Sequence, residues 1–310
     1  MNWQAPGTSQ VHIRCAPCRD RGGGGLNLAD VSELDRRRFL VAVAATVAVT
    51  GISWCSEAGT RGTVARADVP RSAPSPAAPA LPPLLSPPGP ASRVTLPGGA
   101  VLSKLPGNGD LLAWTVDDGV DTDVVRLYTE FARDTGVRLT YFVTGSYRSW
   151  TDNAELLRPL VESGHIQLAN HTWTHPDLPK LTPNQVADEL GRTDRFLRNT
   201  YGVDATPYFR PPYGRHNAVV DAVAADMGYQ VPTLWSGDLR DSAVLTEDQI
   251  VKMADQSFTP QNIVIGHLNH APITHAYGQL VDIIRARRLR TVTLNDVFLK
   301  PEIPHRLQPS

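Results

Sequence analysis

Five places along the chain set residues side by side that can do chemistry. Asp117-Asp118-Gly119 puts two carboxylates on one turn; they repel, and burying both is costly unless a cation or an arginine compensates. Taken alone, the same motif also reads as a solvated turn. His171-Thr-Trp-Thr-His175 spaces two imidazoles four residues apart, which on a helical turn places them on one face, the geometry that chelates a divalent metal. Two histidines with one carboxylate leave a coordination position open, as a catalytic centre requires. In Arg210-Pro-Pro-Tyr213-Gly214 the prolines stiffen a loop that can hold the Tyr213 amide toward a ligand. His267 closes the apolar run Ile263-Val-Ile-Gly266 and is a proton-transfer candidate if a carboxylate orients it. Asp241, in Asp238-Leu-Arg-Asp241-Ser242, is its natural partner.

These groups need elements to position them, and the hydrophobic pattern supplies those from about Arg93 onward. Short apolar runs predict strands at 111–116, 138–143, 165–169, 207–209, 229–234, 262–265 and 290–294. Helical spacing predicts helices at 123–134, 153–163, 183–201, 218–227, 247–256 and 278–288, with Thr182 as an N-cap. Seven strands alternating with helices imply right-handed βαβ units, a parallel sheet covered by helices, and an α/β fold close to a barrel. In such folds reactive residues stand where strands end, and each of the five motifs follows a predicted strand.

The 310-residue chain carries 30 basic and 31 acidic side chains, a formal net charge of -1, 41% apolar and 20% charged residues. That balance excludes a polyanion-binding surface built on basic excess, hence no nucleic-acid partner, and the chain contains no 20-residue apolar span. Cys15, Cys18 and Cys55 all precede the predicted domain, so no disulfide staples it. Cys15-Ala-Pro-Cys18 has the spacing of half a zinc site or a redox pair, with no second pair nearby. Arg36-Arg37-Arg38-Phe39-Leu40 opens an apolar stretch reaching Trp54, the pattern of a twin-arginine export signal, and Ala65-Arg66-Ala67 offers a cleavage site. Residues 1–67 are therefore expected to be an N-terminal extension and signal, with an uncleaved anchor as the competing reading. Lipidation at Cys55 is disfavoured by the bulky Trp54. Nine prolines fall between Pro70 and Pro90, so 68–92 is expected to be a semi-rigid linker. A single catalytic domain over 93–300 and a tail at 301–310 complete the expected organisation.

The motifs, in this order, resemble those of the polysaccharide deacetylase family, the NodB-homology carbohydrate esterases, over about 111–297. They stand here as Thr115-Val-Asp-Asp-Gly119, His171–His175, Arg210–Gly214, Asp238–Ser242 and Ile265-Gly-His267. The resemblance implies a distorted (β/α) barrel with fewer than eight strands. It implies a divalent metal, most readily Zn2+ with Co2+ or another ion possible, held by Asp118, His171 and His175. It further implies Asp117 as general base, His267 as general acid, Arg210 holding the base, Asp241 tuning the acid and the Tyr213 amide in the oxyanion site. The implied activity is hydrolysis of N-acetyl groups on an N-acetylated polysaccharide, peptidoglycan or chitin oligomers, by an exported monomer that meets the membrane through its signal segment alone. Alternatives are an O-acetyl esterase or small-amide hydrolase, and a non-catalytic envelope-binding protein. Ser242 stands where the family places a tryptophan beside the acetyl pocket, and Trp173, Trp235 or Tyr147 are candidates to replace that apolar face. His270 and His275 are alternative acids, with strand-end placement favouring His267.

Overall fold

The computed structural model describes residues 83–300. The three cysteines, the twin-arginine segment, the cleavage site, most of the proline-rich stretch and the tail lie outside the described residues. In chain order the elements are β1 Val94–Thr95, β2 Leu111–Asp118, α1 Thr122–Thr135, β3 Leu139–Val143, α2 Ser149–Asp152, α3 Ala154–Glu162, β4 Ile166–Asn170, α4 Pro183–Tyr201 and β5 Tyr208–Phe209. There follow α5 Ala218–Asp226, β6 Val231–Pro232, β7 Gly237–Asp238, α6 Glu247–Ser257, β8 Asn262–His267, α7 Pro272–Ala286, β9 Arg290–Thr291, α8 Leu294–Val297 and β10 Phe298–Leu299. Among the described residues no helix is long and apolar enough to cross a membrane.

Helix limits follow local chemistry. Asp121 caps α1 by accepting from the Asp123 and Val124 amides, and Gly136 ends it in the left-handed region. Thr182 caps α4 as expected, with Gln185 completing a capping box and Pro183 at the first helical position. The inner face of α4 is Val186, Leu190, Thr193, Leu197 and Tyr201, one side of a 3.6-residue period.

Eight strands form one parallel sheet in the order β6-β5-β4-β3-β2-β8-β7, with β9 against the start of β2 on the side that β3 later occupies. β2 is buried along nearly its whole length, as the centre of a sheet covered on both faces must be. β6 and β7 occupy opposite ends of that order, yet four residues join them. Such a connection spans at most about 18 Å at roughly 3.6 Å per residue, so the sheet has to curl until its two edges nearly meet. Leu102 bridges to Thr233 and Lys104 to Asn262, stitching the remaining gap. The result is a distorted (β/α) barrel, as the resemblance implied, with seven strands along its path and β9 beside them at the start of β2.

Side-chain alternation divides the core between the two faces of the sheet. Leu112, Trp114 and Val116 of β2 join the cluster beneath the helices, whereas Ala113 joins Phe142, Ala169, Tyr208, Val231 and Ile263 inside the barrel. Three expectations needed revision. The strand expected at 229–234 shortens to Val231–Pro232, because the chain then crosses the barrel mouth to pair again as Gly237–Asp238 at the opposite sheet edge. The helix expected at 278–288 begins at Pro272, where a proline suits the first turn. The strand expected at 290–294 ends at Thr291, because Thr293 and Asp296 form a capping box that starts α8.

Candidate active site

The C-terminal ends of β2, β4, β5 and β8 bring the singled-out residues to one mouth of the barrel. Asp117 pairs in register with His267 on one side and with Phe142 on the other, so all three side chains share the interior face. Strict alternation would send Asp118 to the opposite face. Instead its backbone is left-handed, φ 75°, which turns its carboxylate toward the mouth. Gly119 follows at φ 95°, and a Cβ there would collide with the Trp150 ring. The Trp150 indole N–H donates to the Asp118 and Thr144 carbonyls, fixing this turn.

His171-Thr-Trp-Thr-His175 is not a helical turn, contrary to the expectation from its spacing. Thr172 and His175 adopt φ 71° and 60°, and the loop is tied down from outside. Asn170 accepts from the Thr172 amide, and one Glu189 oxygen of α4 accepts from the amides of Trp173 and Thr174. The loop nonetheless sets the imidazoles together, ring centres 4.9 Å apart. Asp118 Oδ1 lies 3.5 Å from His171 Nε2 and 3.4 Å from His175 Nε2, and one donor atom from each of the three residues falls within 4.8 Å of the others. His171 donates from Nδ1 to the Arg210 carbonyl at 2.7 Å, which fixes the tautomer and leaves the Nε2 lone pair facing Asp118.

Arg210, fully buried, donates to Asp117 Oδ1 at 2.5 Å and to the carbonyls of Thr233 and Leu234 in the β6–β7 crossing. Its guanidinium lies 4.0 Å above the Phe142 ring. Asp117 Oδ2 stays clear of Arg210, 3.6 Å from His171 Nε2. Tyr213 is left-handed at φ 59°; the two hydrogen bonds closing its turn come from Gly214 and Arg215, so its own amide is not used there. Its ring is exposed and packs edge-on against His175.

His267 Nδ1 is 2.9 Å from Asp241 Oδ1, and its amide donates to Asp241 Oδ2. Burial disfavours the imidazolium, but Asp241 and the nearby Asp117 outweigh it and hold His267 up to about 9. Burial also opposes the Asp118 anion, and His171, His175 and Asn269 overcome it, holding that carboxyl well below its usual range. Burial and then His171 push His175 down, toward the neutral form whose lone pair can bind a metal.

Asp117, Asp118, His171, His175, Tyr213 and His267, with Trp235, Ser242, Ile265 and Asn269, line a cleft of about 330 Å3, behind which Arg210 and Asp241 are buried. Of the three aromatic candidates to stand in for the tryptophan at 242, Trp235 lines the cleft; Trp173 packs against Phe196 and Arg192. His270 points to the Ser242 carbonyl and His275 to Glu247, and neither lines the cleft. A larger cavity of about 590 Å3 around Arg138, Gly164 and Asp296 sits beyond the other ends of the strands and contains none of these groups. Asn170, Glu189, Trp150 and Asn269 escaped the sequence reading. Asn170 and Asn269 were within its reach, since each lies one or two residues from a histidine at a strand end.

A family model described as polysaccharide deacetylase matches residues 104–232. A chitooligosaccharide deacetylase of Bradyrhizobium sp. is 35% identical over 162 residues, covering 51% of this chain and 70% of that protein. The chain therefore belongs to the polysaccharide deacetylase family. A peptidoglycan-N-acetylglucosamine deacetylase of Listeria monocytogenes is 28% identical over 60% of this chain and 38% of its own length. A bifunctional xylanase/xylan deacetylase of Cellvibrio japonicus is 29% identical over 56% of this chain, which spans only 26% of that longer protein. Among solved structures, a family 4 carbohydrate esterase from Streptomyces lividans in complex with acetate superposes with a TM-score of 0.54 at 26% identity, covering 61% of this chain and 95% of that one.

Proposed function

We propose that this chain is a metal-dependent hydrolase that removes N-acetyl groups from the amino sugars of a cell-wall or chitin-like polysaccharide. One observation carries the reading: Asp118, His171 and His175 converge on one point, and a second, arginine-held carboxylate stands beside them. The residues fit a divalent cation. Asp118 Oδ1 is buried with no hydrogen-bond partner, both facing imidazole nitrogens are Nε2 atoms, and the carboxylates of Asp117 and Asp118 outnumber the one buried guanidinium. The mixed nitrogen and oxygen donor set favours zinc, with cobalt as a substitute. When bound, the cation supplies Lewis acidity, drawing charge from an amide carbonyl and from water.

The remaining work falls to the chain. Asp117 accepts the proton of the attacking water at Oδ2, the oxygen that Arg210 leaves free, while Arg210 holds Oδ1. The Tyr213 amide donates to the carbonyl oxygen as it becomes negative. His267, its Nδ1 engaged by Asp241, delivers a proton from Nε2 to the departing nitrogen. Water is consumed, the C–N bond breaks, and acetate and a free amine leave. Export by the twin-arginine route, which carries folded proteins, suits a domain that acts in the cell envelope or outside it.

The names of the chitooligosaccharide and peptidoglycan relatives favour an N-acetyl substrate. An O-acetyl ester is the second reading, favoured by the xylan-deacetylase relative and by Ser242 in the cleft wall. Acetate release from chitin oligosaccharides, peptidoglycan and acetylated xylan, with and without chelator, tests both. We expect chelation to abolish release, Asp117→Asn to bind metal and lose turnover, and His171→Ala to lose both. Chelator-resistant release, or near wild-type turnover by Asp117→Asn, would overturn the mechanism.

A further inference from the structure

Asn269 lies two residues beyond His267, in the loop leaving β8, where it reaches across to the end of β2. Its side-chain oxygen accepts from the Val120 amide at 3.3 Å, and its nitrogen donates to Asp118 Oδ2 at 2.7 Å. The first bond fixes the second, because an amide whose oxygen is committed to a backbone N–H must turn its NH2 the other way. An N–H of this kind only donates, so it favours the carboxylate of Asp118 over the acid. It also occupies one of the two oxygens. The other, Oδ1, is the atom without a hydrogen-bond partner and the one facing both imidazoles.

Resting on the metal-site reading above, we infer that Asn269 is a positioning residue that makes Asp118 a one-oxygen ligand. A carboxylate free to turn can offer both oxygens and fill two positions on a small cation. Held by Asn269 it fills one, which keeps a position open for water and the substrate carbonyl. The same side chain ties the strand end bearing Asp118 to the loop that follows His267. Metal donor and proton donor thereby keep a fixed separation.

The test loads the full chain with Co2+ and reads two quantities, affinity by competition with a chromophoric chelator and the visible absorption spectrum. Asn269→Ala and Asn269→Leu, the latter retaining bulk without a donor, are compared with wild type and with Asp118→Ala. Asn269 is half-buried, and melting of the metal-free proteins checks their folding. We expect both Asn269 variants to bind Co2+ about 10–100-fold more weakly, the usual cost of losing a partner that orients a ligand. Their absorption should weaken, as it does when a second carboxylate oxygen raises the coordination number. Wild-type affinity and spectrum in both variants would overturn the role of Asn269 while leaving the metal site intact. Failure of the wild type to take up Co2+ more tightly than Asp118→Ala would remove the metal site and this inference with it.

Discussion

Asp241→Asn keeps the side chain's shape and removes one charge, so it isolates what that carboxylate does for His267. Burial works against the imidazolium; the Asp241 hydrogen bond, the Asp117 charge and the Asp241 charge together carry His267 from its ordinary 6.5 up to about 9. A rise of about 2.5 pH units corresponds to ~3 kcal/mol, at roughly 1.36 kcal/mol per unit. The side chain is only 14% exposed, so solvent screens little of it. Two of those raising contributions come from Asp241 itself, and without them only the charges of Asp117 and Asp118 are left to oppose burial. In Asp241→Asn we therefore expect His267 to titrate well below its wild-type position, back toward its ordinary value.

The sign decides the assay. A histidine raised in this way keeps its proton below the raised value, so wild type has its donor at neutral pH and loses it as pH climbs through about 9. The variant should lose its donor in the region of pH 6–7, roughly the ordinary range for histidine. Near pH 8, acetate release should fall at least about tenfold, and toward 10²–10⁴-fold if proton transfer is lost outright. Stability follows the same linkage: the contribution of the pair is complete below pH 6.5 and disappears as pH rises through about 9. Wild-type melting temperature should therefore drop across that window more than the variant's. NMR titration of the His267 ring and a pH–rate profile read the effect directly. An alkaline limb at the same pH in both proteins would refute the reasoning.

Arg210→Met leaves Asp117 buried without its cation and should cost about 3–5 kcal/mol; urea denaturation at neutral pH measures it, and an unchanged midpoint would remove Arg210 as the partner. Gly119→Ala meets the Trp150 ring at a left-handed backbone position and should cost about 1–3 kcal/mol. By contrast Gly278→Ala, within α7 and with nothing inside 4 Å, should stabilise by roughly 0.5–1 kcal/mol. Melting curves of the two variants moving in the same direction would contradict this account of β2's end.

Much of the fold was legible because it rests on local patterns. The apolar run of β2, the inner stripe of α4 and the Thr182 cap each follow from a few neighbouring residues, and the barrel follows from their alternation. The closure of the barrel was not legible. Val231–Pro232 and Gly237–Asp238 read as one strand or a strand and its end, and only pairing partners far along the chain place them at opposite edges. The candidate site divides the same way. Residue types at strand ends pointed to Asp117, Asp118, His171, His175 and His267, but the reason given for the two histidines was wrong in detail. Their proximity comes from a loop held by Asn170 and Glu189, a contact between distant segments that spacing cannot encode.

That difference in origin corresponds to a difference in how the two halves of the site are held. Asp117 and His267 sit on adjacent strands in register, locked by the ladder between β2 and β8, so their separation is as fixed as the sheet. The three candidate metal donors each lie at or just beyond a strand end, two of them with left-handed backbones; Asp118 makes the last pairing of β2 with β3, and His175 lies beyond any ladder. What orients their side chains is a set of groups from elsewhere: the Asn269 amide for Asp118, the Arg210 backbone carbonyl for His171, and Glu189 for the loop that carries His175. A change to those supports should loosen the proposed cation site while leaving Asp117 and His267 in place, whereas a change to β2 or β8 should disturb both. On the proposed function, metal affinity and the pH dependence of turnover should therefore respond separately to substitution, each through its own group of residues.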